Sequence, residues 1–496
     1  MTTSLLRPDQ WAQKEFALAE LGDRRRTRRL VKMASTLAQT PTGTLPQAFP
    51  AWKELKAAYR LLDHLEFGPT DLQQPHWQQT LAGCRQPGEY LLIEDTTELD
   101  YTSHRRTQQL GYIGNERGRG IWLHSTLAIR VEGWNLEQEP EGIALGLLRQ
   151  KSWIRPQIGL HRPWRQRLSR PRESDRWAKV LDEIGAPPAQ SRWIYLADRE
   201  ADFYEPIQRC QRNGEDFIIR GYRDRKLAGG NEHLFAALAG APVAGQMRVR
   251  LRGRNGEAGR EAVVSLRHCR VKLQGPWRPH GTQEDVTVAV VEARELTSPP
   301  GVKPLHWILL TSLPCAGLTA LKRIVTRYAM RWWIEHYHKA LKSGAGVEES
   351  QLESGYRIEN LVAVLAIVAV RLVNTQWLAR NRPDEPVEAL SFGSSALEIL
   401  SAKYQAPTGG WTNRSVLVAV ARLGGFLARK HDGLPGWQTI WRGWGKLLCM
   451  CEGVEILREK AKNVGNDKDL KPVFALLRRG SFVLATLRAK AGRASG

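Results

Sequence analysis

The stretches "YLLIED" (90–95) and "WIYLAD" (193–198) are apolar runs that each end in an acid, and they constrain the fold of this chain more than any other feature. Short apolar runs bounded by polar residues read as strands. Between them, "IWLHSTLAIRVEGW" and "EGIALGLLRQKSW" read as the arms of a β-hairpin, and "SDRWAKVLDEIGA" reads as a helix. Strands alternating with helices predict an α/β core.

The flanks differ from this core. Near the start, "LGDRRRTRRLVKMASTLAQ" offers Asp23 as an N-cap and places Leu30, Met33, Ala34 and Leu37 on one helix face, with Arg25, Arg29 and Lys32 on another. A loop, "TPTGTLPQAFP", and a second helix, "AWKELKAAYRLLDHL", complete a small helical module over 1–70. Residues 221–314 carry alternating patterns such as "GQMRVRLRGR" and "VTVAVVEAREL", which predict a β-rich insertion into a core spanning 71–378. The sequence from Arg323 on is mostly helical. Its longest apolar run, "LVAVLAIVAV", is half of the roughly 20 residues that span a bilayer and reads as a core helix. A helical region follows over 379–462, and then a basic tail over 463–496.

A length of 496 residues implies several domains. Lys and Arg number 73 against 51 Asp and Glu, a net charge of +22, which points to a polyanionic partner, nucleic acid before membrane. The six cysteines are scattered, and Cys449 with Cys451 lacks the spacing of a zinc ribbon. The opening "MTTSLLRPDQWAQ" lacks the apolar core of a signal peptide. Together these predict a reduced, cytoplasmic protein without a structural metal.

Residues 328–344, "YAMRWWIEHYHKALKSG", mix cations, an acid and a tyrosine with bulky apolar side chains. As one continuous helix at about 100° per residue, they place Tyr328, Arg331, Glu335 and Lys342 within an arc of roughly 60°. Met330, Trp333, Ile334, Tyr337 and Leu341 fall opposite. Strand ends and a helix can bring Asp95, Asp198 and Glu335 together. Three half-buried carboxylates repel one another, and Mg²⁺, which prefers oxygen ligands, relieves the repulsion. Two such ions serve phosphoryl transfer by activating the attacking oxygen and stabilising the leaving one. Plainer readings stand beside this one. An acid at a strand end is commonly a turn or cap residue, Arg331 and Glu335 have the spacing of a surface salt bridge, and the arginine run can be a solvated face.

The motifs "IEDTT" and "ADREADFY", with Tyr328, Arg331, Glu335 and Lys342 at the spacing Tyr-x2-Arg-x3-Glu-x6-Lys, resemble the signature of the cut-and-paste DNA transposases of the insertion-sequence-four family. Further similar stretches are "LGDRRRTRRLV", "GIWLHS", "SWIRP", "WILLTSLP", "NLVAVLAIVAVRL", "ARLGGF" and "GWQTIWRGW". The resemblance implies a ribonuclease-H-like α/β catalytic core with the β-rich insertion, a helical N-terminal DNA-binding domain and a helical C-terminal dimerisation domain. It implies Asp95, Asp198 and Glu335 as ligands for two Mg²⁺ ions, with Mn²⁺ substituting. The family nicks a transposon end, forms a hairpin, opens it and joins the freed 3′ end to target DNA, so the implied partners are double-stranded transposon ends, target DNA and a second copy of the chain.

By the same resemblance Arg331 and Lys342 grip phosphates, and Tyr328 makes a further phosphate contact. Trp307 stacks on a flipped base, although the pattern alone equally allows a core tryptophan in a strand. Arg220 is another DNA contact, and Arg25, Arg26 and Arg29 recognise the end. Arg24 and Arg28 stand where the family has a proline and an uncharged residue. The implied setting is the bacterial cytoplasm, at the nucleoid. Two alternatives remain, a catalytically silent DNA-end-binding protein and a metal-dependent nuclease that cleaves without joining.

Overall fold

The computed structural model describes residues 8–40, 44–114, 117–134, 141–155, 175–251, 259–278, 281–387, 394–429 and 432–463. These fall into two compact units, the first running to Pro383 and the second formed by Asp384–Val387 and the described residues from Ser394 on.

The first unit opens with helices Pro8–Phe16, Arg24–Gln39, Leu45–Ala48 and Trp52–Leu62. Gly22, at a φ of 75°, turns the chain into the second of these. Asp23 then accepts a hydrogen bond from the Arg25 N–H at 2.8 Å, which satisfies one of the free donors at the helix start. Leu30, Met33, Ala34 and Leu37 are buried, as the periodicity predicts.

A ten-stranded sheet follows. Its strands are β1 (Gly88–Asp100), β2 (Gly111–Ile113), β3 (Gly118–Gly133), β4 (Glu141–Trp153), β5 (Ser191–Ala197), β6 (Asp216–Gly221), β7 (Val243–Leu251) and β8 (Arg260–Leu273). Beyond a separate small ladder of β9 (Trp277–Arg278) and β10 (Gly281–Thr282), the sheet takes in β11 (Val286–Glu295) and β12 (His306–Thr311). The order is β2-β3-β1-β5-β6-β12-β11-β8-β7, with β4 also on β3. The predicted hairpin is the antiparallel β3–β4 pair. β1, β5 and β6 run parallel, and β12 joins β6 antiparallel. The block expected as an insertion therefore continues the central sheet.

Side chains alternate across a strand, so Tyr90, Leu92 and Glu94 share one face of β1 while Leu91, Ile93 and Asp95 share the other. The first face is covered by helices Asp175–Ile184 and Tyr204–Asn213, whose Trp177, Leu181, Tyr204 and Ile207 pack with Tyr195, Phe217 and Ile219. The second face meets the helix Trp332–Lys339. Behind it runs helix Gly355–Asn381, buried without a break from Asn360 to Asn374. A helix apolar on every side belongs in a core. Its two buried asparagines donate to backbone, Asn360 Nδ2 to the Leu62 carbonyl at 2.9 Å and Asn374 Nδ2 to the Ala144 carbonyl at 2.8 Å, while Arg371 lies over the Trp11 ring.

The predicted single helix over 328–344 is broken. Helix Gly317–Ala329 carries Tyr328, helix Trp332–Lys339 carries Glu335, and Ala340–Gly344 widens into a π turn that carries Lys342. The π turn breaks the 100° period and moves Lys342 out of the expected arc.

In the second unit, helices Ser394–Lys403, Asn413–Leu423 and Trp437–Asn463 pack together. Thr412 caps the middle one with Ser415. A Cβ on Gly424 would lie 1.8 Å from the Thr439 carbonyl oxygen, and one on Gly443 1.8 Å from that of Val420. The glycines of "ARLGGF" and "GWQTIWRGW" thus let two helix backbones touch. The basic tail after Asn463 lies outside the described residues.

Candidate active site and nucleic-acid interface

Register brings the first two acids together. β1 and β5 pair in parallel with Glu94 opposite Ala197, so the next residues, Asp95 and Asp198, are neighbours across the ladder. Asp198 accepts the Glu200 N–H at 2.7 Å and caps the short helix Arg199–Ala201, so the plainer reading of a strand-end acid also holds for it. Asp95 accepts the Thr96 N–H at 2.9 Å. Burial, and after it the Asp198 charge, pushes the Asp95 carboxyl up to about 8, against the opposing pull of Arg331 and the Thr96 N–H.

The third acid arrives with a cation. Arg331 Nη2 donates to Glu335 Oε1, and Nη1 stands 3.8 Å from Asp95 Oδ2. Burial works against the Arg331 charge, but Tyr328, Glu335, Asp95 and Asp198 outweigh it and raise its pKa. The guanidinium therefore stays charged and bridges two of the three acids. Among the described residues, no three His, Cys, Asp or Glu side chains are gathered closely enough to hold a metal ion. His338, which sequence reasoning missed, places Nδ1 3.9 Å from Asp95 Oδ2. Burial, reinforced by Lys342, His124 and Arg331, drives its pKa down to about 3, so the ring is neutral. Its place in "IEHYHKA", one of two histidines among mixed polar neighbours, did not single it out.

Tyr328, Trp307 and Arg220 form one packed group. The Trp307 and Tyr328 rings meet edge to face, centroids 4.9 Å apart. They are 7% and 3% exposed. Arg220, within β6, donates to the His306 carbonyl at 3.2 Å, and its charge acts on the Tyr328 hydroxyl. As placed, Trp307 is the core tryptophan of a strand, and a base could reach its face only by displacing neighbours. Lys342 stands apart, with Nζ 3.5 Å from Glu348 Oε1, an oxygen that also accepts the Asp100 N–H. The structure thus brings together Asp95, Asp198, Arg331, Glu335 and Tyr328, and pairs Lys342 with Glu348.

Two buried polar networks hold these elements, and neither was legible from spacing. Glu94, on the reverse face of β1, accepts from the Tyr195 hydroxyl and lies 2.7 Å from His124 Nε2, while His124 Nδ1 lies 2.8 Å from Thr96 Oγ1. On the Asp95 face, Gln150 Nε2 reaches Ser125 Oγ at 2.9 Å and the Tyr337 hydroxyl at 2.7 Å. Gln73 Nε2 donates to Gln150 Oε1 at 2.8 Å. The helix of Glu335 is thereby bonded to β3, β4 and the helix Pro69–Cys84. Buried polar groups are expensive unless paired, so such networks fix one orientation.

The arginine-rich helix divides differently from expectation. Arg26 pairs with Glu66, and Arg29 with Glu54, which also holds Lys32 at 2.8 Å. Arg24, Arg25 and Arg28 are exposed, Arg25 at 87% even though its Nη2 lies 2.9 Å from Asp23. On the neighbouring helix Trp52–Leu62, Lys53, Lys56 and Arg60 are exposed beside Trp52, itself 69% exposed. An exposed tryptophan at the head of a cationic stripe is a nucleic-acid feature that the spacing 52, 56, 60 offered and sequence reasoning passed over.

Residues 8–66 match the protein-family model described as "Transposase DNA-binding". The match spans the first four helices and ends on Glu66, the partner of Arg26. The Arg24–Gln39 helix accordingly lies in a DNA-binding domain of transposase type, and DNA is a partner of this chain. The acid cluster lies outside the matched residues.

Proposed function

We propose that this chain is a DNA transposase of the insertion-sequence-four type, whose transposase DNA-binding domain binds transposon ends and whose acid cluster cuts and joins them. The observation that carries the reading is the parallel β1–β5 register, which sets Asp95 beside Asp198 opposite Glu335. The partial order β4-β3-β1-β5-β6, with its antiparallel arm and parallel centre, supports the reading of a ribonuclease-H-like core.

The donor chemistry, three carboxylates, suits Mg²⁺ or Mn²⁺ in its place, but as placed the three side chains are not gathered around one point, so holding a metal requires them to close together. Asp95, Asp198 and Glu335 offer hard oxygens, and Asp95 and Asp198 are neighbours across the ladder, a repulsion that a dication would relieve. They are the residues that would hold two such ions, which supply an activated oxygen nucleophile and charge stabilisation at phosphorus. The protein's own groups do the rest. Arg331 and Lys342 hold end phosphates, Tyr328 makes a further contact, and Trp307 with Arg220 receives a base unstacked as the end folds into a hairpin. Arg25, Arg26 and Arg29 position the end within the matched domain. The second unit pairs two copies so that two ends are held together, and Met450 and Ile456, 38% and 49% exposed on its last helix, supply apolar contact area. The reaction takes place on DNA in the bacterial cytoplasm.

One observation favours the silent end-binding alternative, namely the ion pair between Arg331 and Glu335. Linear DNA ending in the sequences that flank the gene, which this reading expects to be inverted repeats, incubated with Mg²⁺, target plasmid and purified protein, separates the readings. Joined products support transposition. Cleavage without joining marks a nuclease, and a shifted but uncut DNA marks the silent end-binding protein.

A further inference from the structure

We propose that Arg331 is the built-in counter-cation of the Asp95–Glu335 pair and competes with divalent metal for it. The inference rests on the metal-centre reading above and adds an order of events to it. Two carboxylates from different elements, one on β1 and one on the helix Trp332–Lys339, meet the two terminal nitrogens of one guanidinium. The side chains of Arg331 and Asp95 are each 15% exposed, and that of Glu335 is 27% exposed, so water screens the contact poorly. A cation entering the same oxygens meets a like charge in the space between them. Either the guanidinium leaves or the metal binds weakly.

The surroundings give the guanidinium somewhere to go. Arg331 sits at the junction between two helices, after Ala329 and before Trp332, where the chain is not locked in mid-helix. A phosphate oxygen is the ligand for which a guanidinium fork is best shaped, and it bears the charge that a carboxylate surrenders to a metal. Loading of metal and transfer of Arg331 from carboxylate to phosphate are then two halves of one exchange. A protein with no DNA keeps its acids neutralised by its own arginine, which limits metal-driven chemistry at the wrong place.

The test is a manganese titration of the full-length protein without DNA, read by the electron paramagnetic resonance of free Mn²⁺. Arg331→Met removes the charge and keeps an unbranched side chain, Arg331→Lys keeps the charge, and Asp95→Asn in each background identifies binding at this site. Arg331→Met should bind Mn²⁺ about tenfold more tightly than the unsubstituted protein, since one neighbouring positive charge is gone. Arg331→Lys should stay within a few-fold of the unsubstituted protein, and Asp95→Asn should abolish the gain. If the unsubstituted protein binds Mn²⁺ in an Asp95-dependent way and Arg331→Met binds it no better, the competition is overturned and the metal centre stands. If no protein in the series shows Asp95-dependent binding, the metal-centre reading itself falls. Circular dichroism checks that each variant folds; should Arg331→Met not fold, Arg331→Gln, which keeps a donor for Glu335, carries the same comparison.

Discussion

Arginine meets glutamate at the N-terminal helix and again at the acid cluster, and the two settings differ in what surrounds them. Arg26 is 27% exposed and its partner Glu66 68%, whereas Arg331 and Glu335 are 15% and 27% exposed with Asp95 alongside. An exposed pair is screened and contributes ~0–1 kcal/mol. A secluded one carries the charge balance of its site, since removing one partner leaves the other uncompensated. In the first setting the cations left outside the pairs face solvent and DNA, and the pairs hold the module's shape. At the cluster the pair itself stands beside Asp95 and carries the local charge balance.

The largest difference expected between the two settings is in chemistry. Glu335→Ala should lower strand cleavage by about three orders of magnitude or more while end binding by residues 8–66 persists, because an acid that holds metal is lost and the DNA-binding domain is untouched. Gel-shift and cleavage assays on the same DNA read both, and undiminished cleavage would remove Glu335 from the site. Next in size is stability. Arg331→Met should cost about 1–3 kcal/mol in denaturant unfolding without metal, and Mn²⁺ should restore part of it, whereas Arg26→Met should cost under ~1 kcal/mol and ignore Mn²⁺.

Glu215 sharpens the contrast, being a buried acid with no cation among the groups acting on it. Burial, then the Glu94 charge, pushes its carboxyl up to about 8 from an ordinary 4.5. Between those values the folded state binds the extra proton, so stability is full below the unfolded pKa and is lost as pH rises, by ~1.4 kcal/mol per unit. Glu215→Gln should remove that slope in urea unfolding measured across the same window, and an unchanged slope would assign it to other groups. The smallest effect is at the DNA surface. Arg25→Ala should lower the salt slope of DNA binding by about one unit, and Arg29→Ala by less, since Arg29 is held by Glu54 in a shielded pair whereas the Arg25 side chain is 87% exposed even beside Asp23. Equal losses would show that DNA draws Arg29 off its glutamate.

Local pattern revealed much of this molecule. The Asp23 cap, the buried face of the arginine helix, the β3–β4 hairpin and the core helix are read from neighbours in sequence, and each is present. What pattern could not reveal depends on contacts between distant residues. The β-rich block was legible as strands, but its union with the central sheet rests on β12 pairing with β6, a match between segments far apart. Tyr328, Arg331, Glu335 and Lys342 were read on one helical period, and the break at Met330 with the π turn after Lys339 keeps three of them near the acids and sends Lys342 to Glu348. Arg26 and Arg29 looked as available to DNA as Arg25, because Glu66 and Glu54 come close only once the module has folded. The neighbouring place of Asp95 and Asp198 was foreseeable from two apolar runs that each end in an acid, although β1 runs on past Asp95 to Asp100, while the guanidinium between Asp95 and Glu335 was not foreseeable.

The most direct measurement is anomalous scattering at the manganese edge from crystals of the full-length protein grown with Mn²⁺ and duplex DNA ending in the sequences that flank the gene. The account predicts a peak about 2.1 Å from carboxylate oxygens of Asp95, Asp198 and Glu335, with Arg331 turned from Glu335 to a DNA phosphate. No peak at these three residues, with Arg331 still on Glu335, would contradict it.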